Sequence, residues 1–106
     1  MARTLDYAEA VGYCTSNLAR LMLMKKDWQQ AENFAREVLS LAEEVGRLEM
    51  IGTNNHHLAQ ALLGQGKNRE ALPYAQLALN ICQQLGRAQD VALARKTLAA
   101  CEAKNS

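Results

Sequence analysis

A pattern that spans Asn17 to Arg47 returns forty residues later, from His57 to Arg87, and this repetition constrains the fold more than any other property of the chain. At that offset Leu18 overlies Leu58, Ala19 overlies Ala59, Leu23 overlies Leu63, Ala31 overlies Ala71 and Ala35 overlies Ala75. Leu39 with Leu79 and Gly46-Arg47 with Gly86-Arg87 extend the match without a slip. Conservative pairs fill the gaps in the same register: Val11 with Ile51, Phe34 with Tyr74, Leu41 with Ile81, Val45 with Leu85. A fixed period of this length marks a solenoid of stacked supersecondary units, each too small to bury its apolar face alone. The expected job is binding, and the sequence does not name the partner.

The units are helical. Ala, Leu and Gln dominate, β-branched runs are almost absent, and there is one proline among 106 residues, a mixture that favours helices throughout. Val11, Cys14, Leu18, Ala19, Leu21 and Met22 recur at helical spacing and predict a first helix over about 5–24, with Asp6 and Glu9 complementing its N-terminus. Lys25-Lys26 is a tight connection, and Asp27 caps a second helix from Trp28 to about Val45, with Gln30 three residues on in the manner of a capping box. That helix buries Ala31, Phe34, Ala35, Val38, Leu39, Leu41 and Ala42, and Gly46 stands where the C′ residue turns to positive φ. A third helix over about 48–63 ends in Gly64-Gln65-Gly66. Asn68 is expected to cap a fourth, which runs past Pro73 to Leu85 and stops at Gly86. A fifth, over about 88–103, matches the third through Val91, Leu98 and Ala99.

At this length the chain is expected to be one domain over 1–106, burying roughly two-thirds of its unfolded surface. It divides into a first repeat over about 7–46, a second over about 47–86 and a C-terminal half-repeat helix over about 87–104. The formal net charge is +1 and basic residues come at most in pairs, so neither a nucleic-acid nor an anionic-membrane footprint is present. The residues after Met1 lack a signal-peptide core, and no stretch approaches the ~20 apolar residues of a membrane span. A soluble, cytoplasmic protein is expected. Cys14, Cys82 and Cys101 lie in periodic segments without Cys-x-x-Cys spacing, which reads as reduced core thiols.

Leu18-Ala19 and Leu58-Ala59 in the first helices, and Ala31-x-x-Phe34-Ala35-x-x-Val38-Leu39 and Ala71-x-x-Tyr74-Ala75-x-x-Ala78-Leu79 in the second, resemble the tetratricopeptide repeat. The forty-residue period resembles the long-helix subgroup of that family. The resemblance covers nearly the whole chain and implies an all-α, right-handed α-α superhelix of five antiparallel helices, about two and a half repeats. It departs from the pattern at Met22 and Leu62, which replace an aromatic residue, and at Asn68, which replaces the Trp28 of the first copy.

In such solenoids the first helix of each pair lines a concave groove. The face turned from the Leu-Ala seam carries Tyr13, Ser16, Asn17, Arg20 and Met24, then Thr53, His56, His57, Gln60 and Gly64, then Lys96, Thr97 and Ala100, spaced by three and four as a stripe on each helix. The Asn17 carboxamide can bracket a peptide backbone, which resembles the asparagine ladder of the long-helix subgroup, although His57 and Thr97 replace it further along. Ser16 and Arg20 do not fit the carboxylate clamp that holds chaperone C-termini. Arg20 and Lys96 remain as partners for an acidic side chain.

No cofactor, metal or catalytic residue is expected. His56 and His57 point about 100° apart on a helix and cannot readily chelate one ion. There is no Gly-rich phosphate loop, no buried carboxylate pair and no nucleophile beside a base. The expected function is a non-catalytic protein-protein interaction module that takes a peptide or protein segment in the concave groove. Two alternatives stand beside it: a module that self-associates through its open ends, the C-terminal helix above all, and the sensor or adaptor part of a larger regulator. In the fifth helix apolar residues surround most of the circumference, and Arg95, Glu102 and Lys104 supply only part of the polar face that a terminal cap needs.

Overall fold

The computed structural model describes residues 2–105, with side chains over 7–103. Five helices follow one another: α1 (Ala2–Met24), α2 (Trp28–Val45), α3 (Leu48–Gly64), α4 (Asn68–Leu85) and α5 (Ala88–Asn105). Each packs against the next, and α1 also touches α3 and α3 touches α5, so α1, α3 and α5 form one layer and α2 and α4 the other. The extents of 48 × 29 × 19 Å agree, since the shortest is about two helix diameters.

The forty-residue register explains how the helices stop. Met22–Asp27 and Leu62–Lys67 form the same turn: the Asp27 amide donates to the Met22 carbonyl at 2.9 Å and the Lys67 amide to the Leu62 carbonyl at 2.9 Å. This is the Schellman arrangement, which needs a left-handed C′ residue. Gly66 supplies it at φ 79° and Lys26 at φ 62°, making Lys26 the one non-glycine residue with positive φ among the described residues. Gly46 and Gly86 take the C′ places of α2 and α4 at φ 71° and 68°, as expected.

Small residues let the layers close. Ala19, Ala31, Ala35, Ala59, Ala71 and Ala75 are all fully buried, with Leu58 and Leu62 between them and Phe34, Leu39, Leu63 and Tyr74 packed around. α4 runs unbroken through Pro73. Asp27 caps α2, accepting from the Gln30 amide at 3.4 Å.

Four expectations need correction. α1 starts at Ala2, so Glu9 lies beyond the first turn and instead pairs with Arg47 at 2.9 Å; the Asp6 side chain is outside the described ones. Asn68 is the first residue of α4, Lys67 is its N-cap, and the Asn68 side-chain oxygen is buried without a partner. Cys14 is exposed, not core, and Leu18 is 40% exposed where its counterpart Leu58 is fully buried. The reason is position: the face that α3 turns to the preceding α2 has no such helix to meet in α1.

The two ends differ in chemistry. On α5 the outward positions are Ala92, Arg95, Ala99 and Glu102, all exposed, whereas the same register positions in α3 are the buried Gly52, Asn55, Ala59 and Leu62. Arg95 and Glu102 put charge at two of these four positions, and alanines occupy the other two. The Lys104 side chain lies outside the described ones.

Candidate functional site

The layer of α1, α3 and α5 carries a trough. Its C-terminal part consists of two adjoining hollows of about 550 and 560 Å³ that share Leu23, His56, Gln60 and Leu93 as walls. Trp28, Leu63, Gly64, Lys96, Thr97 and Ala100 complete the first, and Arg20, Met24, Gly52, Thr53, His57, Cys82 and Asp90 the second. A smaller hollow of about 250 Å³ at the other end is lined by Tyr13, Ser16, Asn17, Glu49, Met50, Thr53 and Arg87. Every residue expected for the groove therefore lines one of these three hollows.

They are not equally available. The Tyr13 hydroxyl donates to Glu49 at 3.0 Å, which pushes its pKa up, and Glu49 in turn holds Arg87 at 2.7 Å. Ser16 Oγ accepts from the Asn54 amide at 3.1 Å, and that amide also reaches the Met50 carbonyl at 3.0 Å. His56 Nε2 and Thr97 Oγ1 share a hydrogen bond of 2.8 Å that ties α3 to α5. His57 sits beneath the floor at 8% exposure, its Nδ1 buried without a partner; burial, with the neighbouring His56 and Arg20, drives its pKa down to about 4 and keeps the ring neutral.

The side chains of Asn17, Arg20, Thr53, Gln60 and Lys96 make no hydrogen bond or ion pair among the described residues, and Met24 is 74% exposed. They are the groups free to meet a ligand. Between them the trough is apolar, because Leu23 and Leu63 occupy the same register position and Leu93 projects beside them at 54% exposure. Gly64 deepens it: where the first copy has Met24, the second has no side chain, and the Trp28 indole rests there so closely that a Cβ would run into its ring.

A tetratricopeptide repeat family model matches residues 11–45 and 56–85, more than half of the chain. The chain belongs to the tetratricopeptide repeat family. Among solved structures it is similar to the tetratricopeptide repeat domain of Arabidopsis FLU, with a TM-score of 0.83 and 20% identity over 92% of this chain and 82% of that one, a likeness of fold. No curated protein matches. Tetratricopeptide repeats are in general protein-protein interaction scaffolds, and no helix among the described residues is long and apolar enough to cross a membrane.

In this tetratricopeptide fold the sequence pointed to the stripe of polar candidates and missed the apolar trough between them. Trp28, Leu63 and Leu93 carry no signal of a lining in helical phase alone, although Leu23 and Leu63 share a register position. Glu49 and Arg87 were missed too. Glu9 and Glu49 stand forty residues apart, as do Arg47 and Arg87, and the two ion pairs of 2.9 and 2.7 Å repeat with the same offset.

For chemistry the trough offers little. Cys82 lines the same hollow as both histidines, but burial pushes its thiol up, away from the thiolate that a nucleophile requires. Among the described residues no group of three or more His, Cys, Asp or Glu could hold a metal ion.

Proposed function

We propose that the protein is a non-catalytic interaction module whose concave trough takes a short protein segment. The observation that carries this reading is the continuous trough across α1, α3 and α5, apolar at Leu23, Leu63 and Leu93 and edged by unpaired Arg20, Gln60 and Lys96. Ligand sites combine an apolar hollow with a few convergent polar groups in this manner. An aliphatic or aromatic side chain of the ligand enters the leucine hollow. The carboxamides of Asn17 and Gln60 meet its backbone, and Arg20 or Lys96 meets an acidic side chain beside the anchor.

Three first-layer helices offer only a short track, so micromolar affinity is expected, about 8 kcal/mol. The groove residues already hydrogen-bonded inside the protein, Tyr13, Ser16 and His56, tie the helices of the trough together, and the buried His57 packs beneath it. A cytoplasmic setting accords with this reading, since the buried Cys82 and Cys101 are free thiols. A pull-down from lysate that compares the unmodified chain with an Asn17→Ala, Arg20→Glu, Gln60→Ala variant of unchanged helicity tests it. Loss of the captured partner in the variant supports the groove, and equal capture by both refutes it.

A further inference from the structure

Where the trough departs from its own repeat, it does so around the first of its large hollows, of about 550 Å³. Leu93 stands where α1 has Tyr13 and α3 has Thr53, and Ala100 stands where they have Arg20 and Gln60, so α5 gives this hollow apolar walls in place of polar ones. Lys96 replaces Ser16 and His56, and Gly64 replaces Met24. Leu93 and Lys96 are both exposed, and their side chains bury little on behalf of the fold. These changes alter what the hollow can hold rather than how the helices stack.

The turn after α1 adds an indole. A Cβ at Gly64 would meet three adjoining ring atoms of Trp28, Cδ2, Cε2 and Cε3, so the flat ring lies across the bare Gly64 backbone. The indole is thereby held in one place, half-buried, while it lines the hollow. Its counterpart forty residues on is Asn68, so the indole wall is not repeated further along.

Charge narrows the occupant. Among the described residues that wall this hollow, Lys96 is the charged one, because no carboxylate lines it and burial holds the His56 ring below its ordinary pKa, hence neutral. The Lys96 ammonium makes no ion pair there. A cation without a carboxylate is complemented by the electron-rich face of an aromatic ring. The indole, in turn, favours a second ring packed edge-to-face or offset against it. An aliphatic side chain brings apolar area and neither of these interactions. The volume lies within the ~300–1,000 Å³ of ligand sites, room for a ring and the backbone that carries it.

We infer that the hollow walled by Trp28, Leu93 and Lys96 takes an aromatic side chain, so that the segment bound in the trough is anchored by a ring and not by an aliphatic residue. This rests on the trough being the ligand surface and names the class of residue that it selects.

Two neutral probes with the same backbone, N-acetyl-phenylalaninamide and N-acetyl-leucinamide, are titrated into the isotopically labelled chain and followed by NMR. The indole N–H signal of the single tryptophan reports occupancy of the hollow. Fragments of this size bind in the millimolar range, and the phenylalanine probe is expected to bind about 3- to 10-fold more tightly than the leucine probe while shifting the indole signal. Trp28→Leu, followed through the backbone amides of Leu63 and Ala100, should remove the difference. Lys96→Met, at an exposed position, keeps the readout open should Trp28→Leu lose helicity: it should weaken the phenylalanine probe about 2- to 5-fold and leave the leucine probe unchanged. Equal binding of the two probes, or none by the phenylalanine probe up to its solubility limit, overturns the inference. So does an indole signal that stays fixed while that probe binds, a preference that survives Trp28→Leu, or a Lys96→Met effect that is the same for both. The trough reading falls separately. Partner capture lost in the Asn17→Ala, Arg20→Glu, Gln60→Ala variant while the two probes bind equally would keep the trough and remove the aromatic anchor; capture that survives while the ring preference holds would keep the aromatic hollow and remove the trough as a protein-binding surface.

Discussion

Lys26 holds φ 62°, a left-handed conformation that costs a side-chain-bearing residue about 1 kcal/mol, while its counterpart forty residues on is Gly66 at φ 79°. Lys26→Gly is expected to raise stability by about 0.5–1 kcal/mol in urea unfolding, and a loss of stability would contradict the shared-turn explanation. Gly64→Ala should act in the other direction. A methyl there normally favours a helix, but here it displaces the Trp28 ring, so a loss of about 1–3 kcal/mol is expected together with a shift in the emission of the single tryptophan. His57 supplies a pH dependence with a definite sign. Its folded pKa of about 4 lies below the ordinary histidine value of 6.5, so the unfolded chain takes up the proton first, and stability present above pH 6.5 drains away as pH falls toward 4. The amount is about 3 kcal/mol, and His57→Gln should flatten that limb of a pH–stability curve measured by thermal melts. The sequence exposed some of this and hid the rest. Offset comparison finds Lys26 against Gly66 and Glu9 against Glu49, whereas the burial of His57 beneath the trough depends on how α3 is rolled against its neighbours.

The helices α2, α3 and α4 were legible almost to the residue, because alanine spacing, Asp27, Gly46 and Gly86 agree on where they begin and end, whereas α1 starts three residues before the expected position. What helical phase does not reveal is whether a neighbour exists to cover a face. Cys14 and Leu18 have the phase of core residues and lie exposed on α1, while Leu58 at the same register is sealed by α2. Between elements, Glu49 joins α1 to the start of α5 through Tyr13 and Arg87. Both Arg87 and Glu49 are substantially exposed, at 48% and 38%, which limits the pair to ~0.2–1 kcal/mol. A double-mutant cycle on Glu49→Gln and Arg87→Met should return a coupling in that range that fades at high salt. A coupling above about 2 kcal/mol would mean that the pair organises the junction rather than trimming it.

At the scale of the whole molecule, alternate helices form one layer, and their repeated leucines and unpaired cationic and carboxamide side chains form one trough. The resemblance to the tetratricopeptide repeat implied a concave surface. It could not show that Gly64 lets the Trp28 indole into the wall, that His56 is spent on Thr97, or that Leu93 stands out into the hollow, since each of these is a contact between helices thirty or more residues apart in sequence. The trough is the claim on which the functional reading rests. A photo-reactive benzophenone side chain placed at Gln60, which lines the trough, or at Gln76, exposed on α4 in the other layer, tests it when each variant is irradiated with the captured partner. Cross-linking from position 60 and none from position 76 is the predicted result. The reverse pattern, with adducts only from position 76, would place the partner on the convex layer and contradict the trough as the binding surface.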